Sequence, residues 1–308
     1  MITTTIEVAA QALSDGALVL LPTETVYGLA ADASNPLAVA AIYQAKGRPS
    51  FNPLIAHVAD LEAAQAIAVL DERALKLAHA FWPGPLTLVA PIRAPELVCD
   101  LARAGLDTVA VRVPGHDLAR AVLRAFGKPV VAPSANRSGR PSPTNLADAL
   151  EETGFAVKAA LDGGACRVGL ESTVVAVFGG KVRLLRPGAV TRAQIEAVVG
   201  SLNDDQDAVD AHRSPGRLAL HYAPDAPVRL NVTEALPGEV FLGFGSVGAG
   251  EFNLSPSGDL AEAAANLFAF LRAADRLKPT AIAVSTIPLD GLGEAINDRL
   301  NRAAGFVG

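Results

Sequence analysis

The sequence predicts an α/β fold with mixed α+β character: a large twisted mixed sheet with helices, followed by a small Rossmann-like α/β C-terminal domain. Three observations predict it. Short apolar runs rich in Val, Leu and Ile recur along residues 1–200, bounded by Gly and Pro, at the length of buried strands. Helical patterns fall irregularly between them, as in a sheet that carries both parallel and antiparallel neighbours. Residues 201–227 then change character, with the acidic stretch Asp204-Asp205-Gln206-Asp207 followed by Ser214-Pro215-Gly216 and by Ala223-Pro224-Asp225-Ala226-Pro227. That composition marks a linker. It divides the 308 residues into a domain over 1–200, a linker over 201–227 and a domain over 228–308, in line with about 150 residues per domain.

Strands are expected at Ala17 to Leu21, Pro53 to Val58, Leu86 to Ala90, Thr108 to Val113, Val130 to Ala132, Thr173 to Val177 and Val182 to Leu185. A helix is expected between Asn35, an N-cap residue placed before Pro36, and Gly47, a C-terminal stop. Thr191 and Gln194 have the spacing of a capping box, so a helix through Ile195 and Val198 closes the first domain. The tail reads as a strand (Val228 to Val232), a strand (Val240 to Phe244), a helix (Asp259 to Leu277), a strand (Ala281 to Ser285) and a helix (Leu292 to Ala303). Leu260, Ala264, Leu267 and Leu271 fall on one face of its long helix, and Arg272, Arg276 and Lys278 gather near the C-terminal end, where cations offset the helix dipole.

Composition removes several classes of function. Half the residues are apolar and 19% are charged, which excludes intrinsic disorder. No apolar run approaches the roughly 20 residues of a membrane-spanning helix, and the N-terminus lacks a basic segment ahead of an apolar one, so a cytoplasmic protein is expected. Cys99 and Cys166 form neither a disulfide framework nor a CxxC zinc pair. The net charge of −6 argues against a general nucleic-acid coat. Residues 93–140 nevertheless hold eight Arg or Lys against four acids, which is compatible with an anionic ligand or with a solvated basic face.

The usual signatures of nucleotide and covalent chemistry fail. There is no P-loop, no HExxH among the five histidines and no GxSxG nucleophile elbow. Gly243, Gly245 and Gly248 spell GxGxxG, but the next helix starts about ten residues too late to meet a pyrophosphate, and the glycines read as a loop. What remains is a series of polar residues at strand ends: Pro22-Thr23-Glu24-Thr25, Lys46-Gly47-Arg48-Pro49 with Asn52, the loop Pro133 to Pro141, Glu171-Ser172-Thr173 and Leu185-Arg186-Pro187-Gly188. Each has a structural alternative, such as dipole compensation by Lys46. Together they supply the cations, hydroxyls and amides used to clamp phosphates and to position a small polar substrate.

The strings LPTETVYGLA, KGRPSFNPLIAHV, FWPGPLTLV, TVAVRVP, PSANRSGRPSPT, VGLESTVV and LLRPGAV occur in this order over residues 10–200. They resemble the YrdC-like domain of L-threonylcarbamoyladenylate synthases, and the linker and tail resemble the long, two-domain form of that family, closing on Ala295-Ile296-Asn297-Asp298-Arg299-Leu300. The resemblance implies condensation of L-threonine, bicarbonate and ATP to threonylcarbamoyl-AMP and pyrophosphate, with magnesium on the nucleotide and no cluster of carboxylates to hold the ion. It implies a threonine group of Thr23, His57, Arg112, Ser134 and Ser172, and an ATP group of Lys46, Arg48, Asn52, Thr108, Asn136, Thr144, Arg186 and Tyr222. Lys46, Arg48, Ser134 and Asn136 are then the residues closest to the chemistry, with Lys46 beside the phosphates. The nucleophile belongs to the substrate, which accounts for the missing catalytic triad.

The product is expected to pass to a tRNA threonylcarbamoyl transferase, with direct tRNA binding compatible but not required. The family's linker carries a segment like SPGMKYRHYAP that folds over the site. Here Leu218, Ala219 and Leu220 replace a Lys, an aromatic and an Arg, so a lid with altered grip is expected, with Arg217 substituting for one lost charge and Tyr222 still able to reach the nucleotide. Two rivals are another carbamoyl-adenylate-forming carbamoyltransferase and an RNA-binding module. The first lacks its zinc-binding cysteine pairs here, and the second lacks aromatic platforms interleaved with Arg and Lys.

Overall fold

A computed structural model of the chain describes residues 4–49, 52–203, 221–247 and 252–306. The first domain is built on a nine-stranded mixed sheet. Its strands are β1 (Leu18–Leu21), β2 (Gly28–Asp32), β3 (Ile55–His57), β4 (Leu86–Pro91), β5 (Thr108–Arg112), β6 (Val130–Val131), β7 (Val157–Ala160), β8 (Thr173–Phe178) and β9 (Lys181–Arg186), in the order β7-β1-β2-β6-β3-β5-β4-β8-β9. β3 pairs parallel with β5 in the register His57 to Arg112, and β4 pairs parallel with β8 in the register Leu86 to Thr173. β6 and β4 run antiparallel to β3 and β5 respectively.

Eight helices of this domain are described: α1 (Ile6–Ser14), α2 (Pro36–Lys46), α3 (Leu61–Ile67), α4 (Glu72–Phe81), α5 (Asp100–Arg103), α6 (Asp117–Phe126), α7 (Leu146–Thr153) and α8 (Arg192–Val199). The signals at two of them act as expected. Asn35 caps α2 through its side chain and Gly47 ends it in the left-handed conformation, while Thr191 and Gln194 form a reciprocal capping box on α8.

Alternation along the strands gives the sheet two different faces. Ala56, Leu88, Val109, Val111 and Val131 point to the large core under α2, α4 and their neighbours. On the opposite face, α1 and α6 cover only the β7-β1-β2-β6 side, through Ala9, Leu13, Val122 and Phe126. The rest of that face carries a smaller apolar floor of Ile55, Val89, Ala110, Val174 and Ala176. The half-covered face is where the polar strand-end residues converge.

The second domain has three parallel strands, β10 (Val228–Arg229), β11 (Val240–Leu242) and β12 (Ile282–Val284), with β12 in the centre, and the helices α9 (Leu260–Arg276) and α10 (Leu292–Ala303). Its core extends into the first domain through Val26 and Leu170. Gly169 (φ +72°) permits the approach: a Cβ there would lie 2.5 Å from the Ala264 carbonyl oxygen of α9. Of the GxGxxG string, Gly245 sits in a turn with positive φ and Gly248 lies outside the described residues. No helix among the described residues is long and apolar enough to cross a membrane.

Candidate active site

The turn from β1 to β2 is held by a directional hydroxyl chain. Thr23 donates to the Val26 carbonyl (2.6 Å), so its oxygen accepts from Thr25 (2.8 Å), and Thr25 in turn accepts from Arg112 Nη1 (3.0 Å). Thr23 is thereby spent inside the turn, and it is Thr25 that reaches the wall of the cleft. Arg112, at the end of β5, also donates from Nε to the Gly84 carbonyl (3.2 Å) and from Nη2 to Glu24 Oε1 (2.6 Å). Burial alone would raise the Glu24 carboxyl, but the Arg112 guanidinium and the Gly115 backbone N–H outweigh it and hold the group below the usual carboxylate range. Two guanidinium N–H bonds of Arg112 remain uncommitted to these partners.

His57, level with Arg112 on the adjacent strand, is buried and places Nδ1 3.1 Å from the Ile55 carbonyl. Burial, then the Arg112 charge, push its pKa down to about 3, so the ring is neutral at working pH. Ser172 and Arg186 line the cleft next to one another. Arg186 Nη2 donates to the Ser172 carbonyl (2.8 Å), and the Ser172 hydroxyl lies 2.7 Å from that of Thr87.

Arg48 leaves α2 just after Gly47 and enters the same cleft beside Pro53, whose carbonyl accepts from Nη2 at 3.3 Å. It pairs with no carboxylate among the described residues, and its Nε is buried without a partner. Burial lowers its pKa to about 10 and also lowers that of Arg186, and both remain charged. The loop after β6 supplies Ser134 to the wall. Lys46 does not face the cleft: its buried ammonium donates to the carbonyl oxygens of Ser134 and Asn136 and pins that loop to the end of α2. Asn136 donates from Nδ2 to the carbonyls of Arg137 (2.7 Å) and Arg140 (2.9 Å) and leaves Oδ1 without a partner.

His221 and Tyr222 complete the wall. Tyr222 is buried and holds φ +62°, unusual for a bulky residue. Its ring meets His221 edge-on at 3.9 Å between centroids. With these rings in place, the open space left in the cleft is about 50 Å³.

One cleft therefore gathers Arg48, His57, Arg112, Ser134, Ser172, Arg186 and Tyr222 from the residues singled out in the sequence. Thr23, Lys46, Asn52, Thr108, Asn136 and Thr144 are buried around it and do not line it. Asn52 adjoins Pro53, and Thr108 lies on the Ala110 and Arg112 face of β5. Thr144 offers its carbonyl to Cys166 N (2.8 Å). Thr25, Glu171 and His221 line the cleft without a threonine or ATP role assigned from the sequence, although Thr25 and Glu171 stand in its polar strand-end strings. Thr25 had a signal, since it lies two residues from Thr23 in a string with three hydroxyls and an acid. Residues 217–220, where the altered lid is expected, lie outside the described residues. Among the described residues, no three His, Cys, Asp or Glu side chains form a metal-holding group.

Two family profiles match in tandem: one described as "Telomere recombination" over residues 11–188, and one described as "Threonylcarbamoyl-AMP synthase, C-terminal domain" over residues 190–305. The chain is 40% identical to the threonylcarbamoyl-AMP synthase of Bacillus subtilis, over 96% of this chain and 92% of that one. It is 39% identical to that of Pyrococcus abyssi, over 98% and 94%. The crystal structure of P. abyssi Sua5 complexed with L-threonine superposes with a TM-score of 0.88 at 37% identity, covering 98% of this chain and 94% of the other.

Proposed function

The chain belongs to the threonylcarbamoyl-AMP synthase family in its two-domain form, and on that premise we propose that its cleft condenses L-threonine, bicarbonate and ATP into threonylcarbamoyl-AMP, releasing pyrophosphate, for threonylcarbamoyladenosine formation in tRNA. The observation that carries the reading is the division of the cleft. One end holds Arg112, Thr25, Ser172 and a neutral His57, a set suited to an amino acid's carboxylate, hydroxyl and amine. The other holds Arg48, a buried cation with no carboxylate partner among the described residues, and the buried Arg186, beside a loop fixed by Lys46.

In the proposed sequence the threonine amine attacks bicarbonate and water leaves, giving a carbamate. A carbamate oxygen then attacks the α-phosphorus of ATP and the bond to the β-phosphate oxygen breaks, with pyrophosphate departing. The protein supplies position and charge rather than a nucleophile. The free N–H bonds of Arg112 bind the threonine carboxylate, the planar fork suiting that group. A neutral His57 places no positive charge beside the amine, and Arg48 and Arg186 offset the charge that builds on the phosphates.

Magnesium is proposed to arrive as the ATP complex. The cleft's own carboxylate, Glu171, is committed to Ser142 and to Arg299, so the donor set fits a nucleotide-borne ion better than a resident one. A downstream transferase that takes the product, and a cytoplasmic setting where ATP and tRNA meet, belong to the same proposal.

The test is pyrophosphate release from the full chain with Mg·ATP, with threonine and bicarbonate added singly and together. Release that needs both establishes the reaction. Release without threonine, or with carbamoyl phosphate in place of bicarbonate, points instead to a carbamoyltransferase.

A further inference from the structure

Arg299, on α10 of the C-terminal domain, has no solvent exposure, although it belongs to the residue type that most resists burial. Its guanidinium lies across the domain boundary. Nε donates to Glu171 Oε2 (3.0 Å), on the cleft wall, and Nη1 donates to the Pro187 carbonyl (2.8 Å), next to Arg186, and to Asp298 Oδ2 (2.7 Å). The same group stands over the Tyr222 ring, 5.4 Å from its centroid, within cation–π range. Phe268 of α9 packs on that ring as well, at 5.3 Å between centroids.

The backbone on either side of Tyr222 is tied to both domains. His221 N–H donates to the Arg302 carbonyl of α10 (3.4 Å), and Ala223 N–H to the Gly139 carbonyl of the loop that carries Asn136 (2.7 Å). A left-handed tyrosine is costly by itself, so it persists only where its surroundings fix it. Here the fixing groups come mostly from the C-terminal domain.

We infer that Arg299 is a positioning residue of the active site: from the C-terminal domain it sets Glu171 and Tyr222 together on the nucleotide side of the cleft, making the two domains one site. The inference rests on the proposed reaction, and it assigns the tail a role in nucleotide affinity rather than in stability alone. Arg299 does not itself line the cleft. Its effect passes through Tyr222 and Glu171.

The experiment is calorimetric titration of the full chain with magnesium α,β-methylene-ATP and, separately, with L-threonine, for the wild type, Arg299→Met, Arg299→Lys, Tyr222→Ala and the Arg299→Met/Tyr222→Ala double variant. Arg299→Met is expected to weaken nucleotide binding at least tenfold while threonine affinity stays within twofold, and Arg299→Lys to recover part of the loss. On the Tyr222→Ala background, Arg299→Met should cost clearly less than it does in the wild type, because one of the two residues it acts through is gone and only the Glu171 route remains. Should Arg299→Met fail to fold, Arg299→Lys carries the comparison, with a smaller, nucleotide-selective loss expected. Unchanged nucleotide affinity, equal losses for both ligands, or full additivity in the double variant would overturn the inference. A wild type that binds no nucleotide overturns the functional reading and this inference with it.

Discussion

The ammonium of Lys46, the last residue of α2, donates to the backbone carbonyl of Asn136, ninety residues further along the chain, and to that of Ser134. Burial, then the neighbouring Arg48 charge, pull the lysine pKa well below its ordinary value, so the contact is made at a cost and leaves the ammonium facing carbonyls rather than open cleft. Lys46→Met leaves two buried carbonyls without donors, at about 1 to 3 kcal/mol each. The expected result is a fall of about 3 kcal/mol in urea-denaturation stability, together with at least a hundredfold loss of turnover as the loop shifts. If stability holds and ATP affinity alone collapses, the ammonium is a phosphate ligand and not a strut.

Arg48 and Asn136 lie on either side of that strut with unsatisfied groups, Arg48 Nε and Asn136 Oδ1. The cation held ready in this way acts on charge that develops during reaction, whereas Asn136, whose Nδ2 is committed to the Arg137 and Arg140 carbonyls, holds the loop beside it in shape. Arg48→Ala and Asn136→Ala should each cost on the order of 2 to 4 kcal/mol in kcat/KM for ATP, roughly 30- to 1000-fold. Threonine affinity should change little. Steady-state kinetics with each substrate varied in turn gives the answer, and full activity in both variants rules out this end of the cleft as the nucleotide side.

Much of this arrangement was legible in the sequence, for physical reasons that differ by element. α2 announced both ends because Asn35, Pro36 and Gly47 each have a local conformational preference that the fold uses. α10 was read with its observed bounds, and α9 to within its caps at Asp259 and Leu277. β2 and β7 were not found. Gly28-Leu29-Ala30-Ala31-Asp32 and Val157-Lys158-Ala159-Ala160 carry little β propensity, and β2 is a strand because β1 and β6 pair with it on both sides. In the cleft, the polar strand ends were visible as residue types, but side-chain direction was not. Thr23 and Thr25 look alike in sequence, and only the closure of the turn decides which one faces the ligand. The part played by Arg299 was hidden because it depends on docking between domains, which leaves no local pattern.

Glu24 and Arg112 form an ion pair with both side chains almost fully buried, at 2.6 Å. Glu24 does not line the cleft, so its role is to aim the guanidinium that does. Removing one charge of such a pair strands the other in a poorly solvated place, which typically costs 3 to 5 kcal/mol. Glu24→Gln keeps the shape and some hydrogen bonding, so about 2 to 3 kcal/mol of stability should be lost. Threonine KM should rise at least tenfold while ATP KM moves little. A variant whose two KM values rise in parallel would show that Glu24 supports the domain as a whole and not the arginine.

The buried imidazole of His57 makes stability depend on pH in a predictable direction. Its folded pKa, pushed down to about 3 by burial and by Arg112, lies below the ordinary 6.5 of an exposed histidine. Between these values the unfolded chain binds a proton that the folded chain refuses, so stability rises with pH there. The contribution is fully present above pH 6.5 and is lost as pH falls toward 3. From pH 7 to pH 5 the loss from His57 is about 2 kcal/mol, at roughly 1.4 kcal/mol per pH unit once the unfolded ring titrates. His221, whose pKa is lowered by burial and by the cations around it, acts in the same direction. Glu24, held below the usual carboxylate range, stays ionised in the folded chain from pH 7 to pH 5 and adds little over that interval. Urea denaturation at the two pH values should therefore show a steep fall for the wild type and a shallower one, by about 2 kcal/mol, for His57→Asn. The neutral ring predicts in addition that no acid limb of the pH–rate profile between pH 5 and 9 belongs to His57. An acid limb that moves or vanishes in His57→Asn would show instead that the imidazole is charged in the working enzyme and binds threonine's carboxylate rather than sparing its amine.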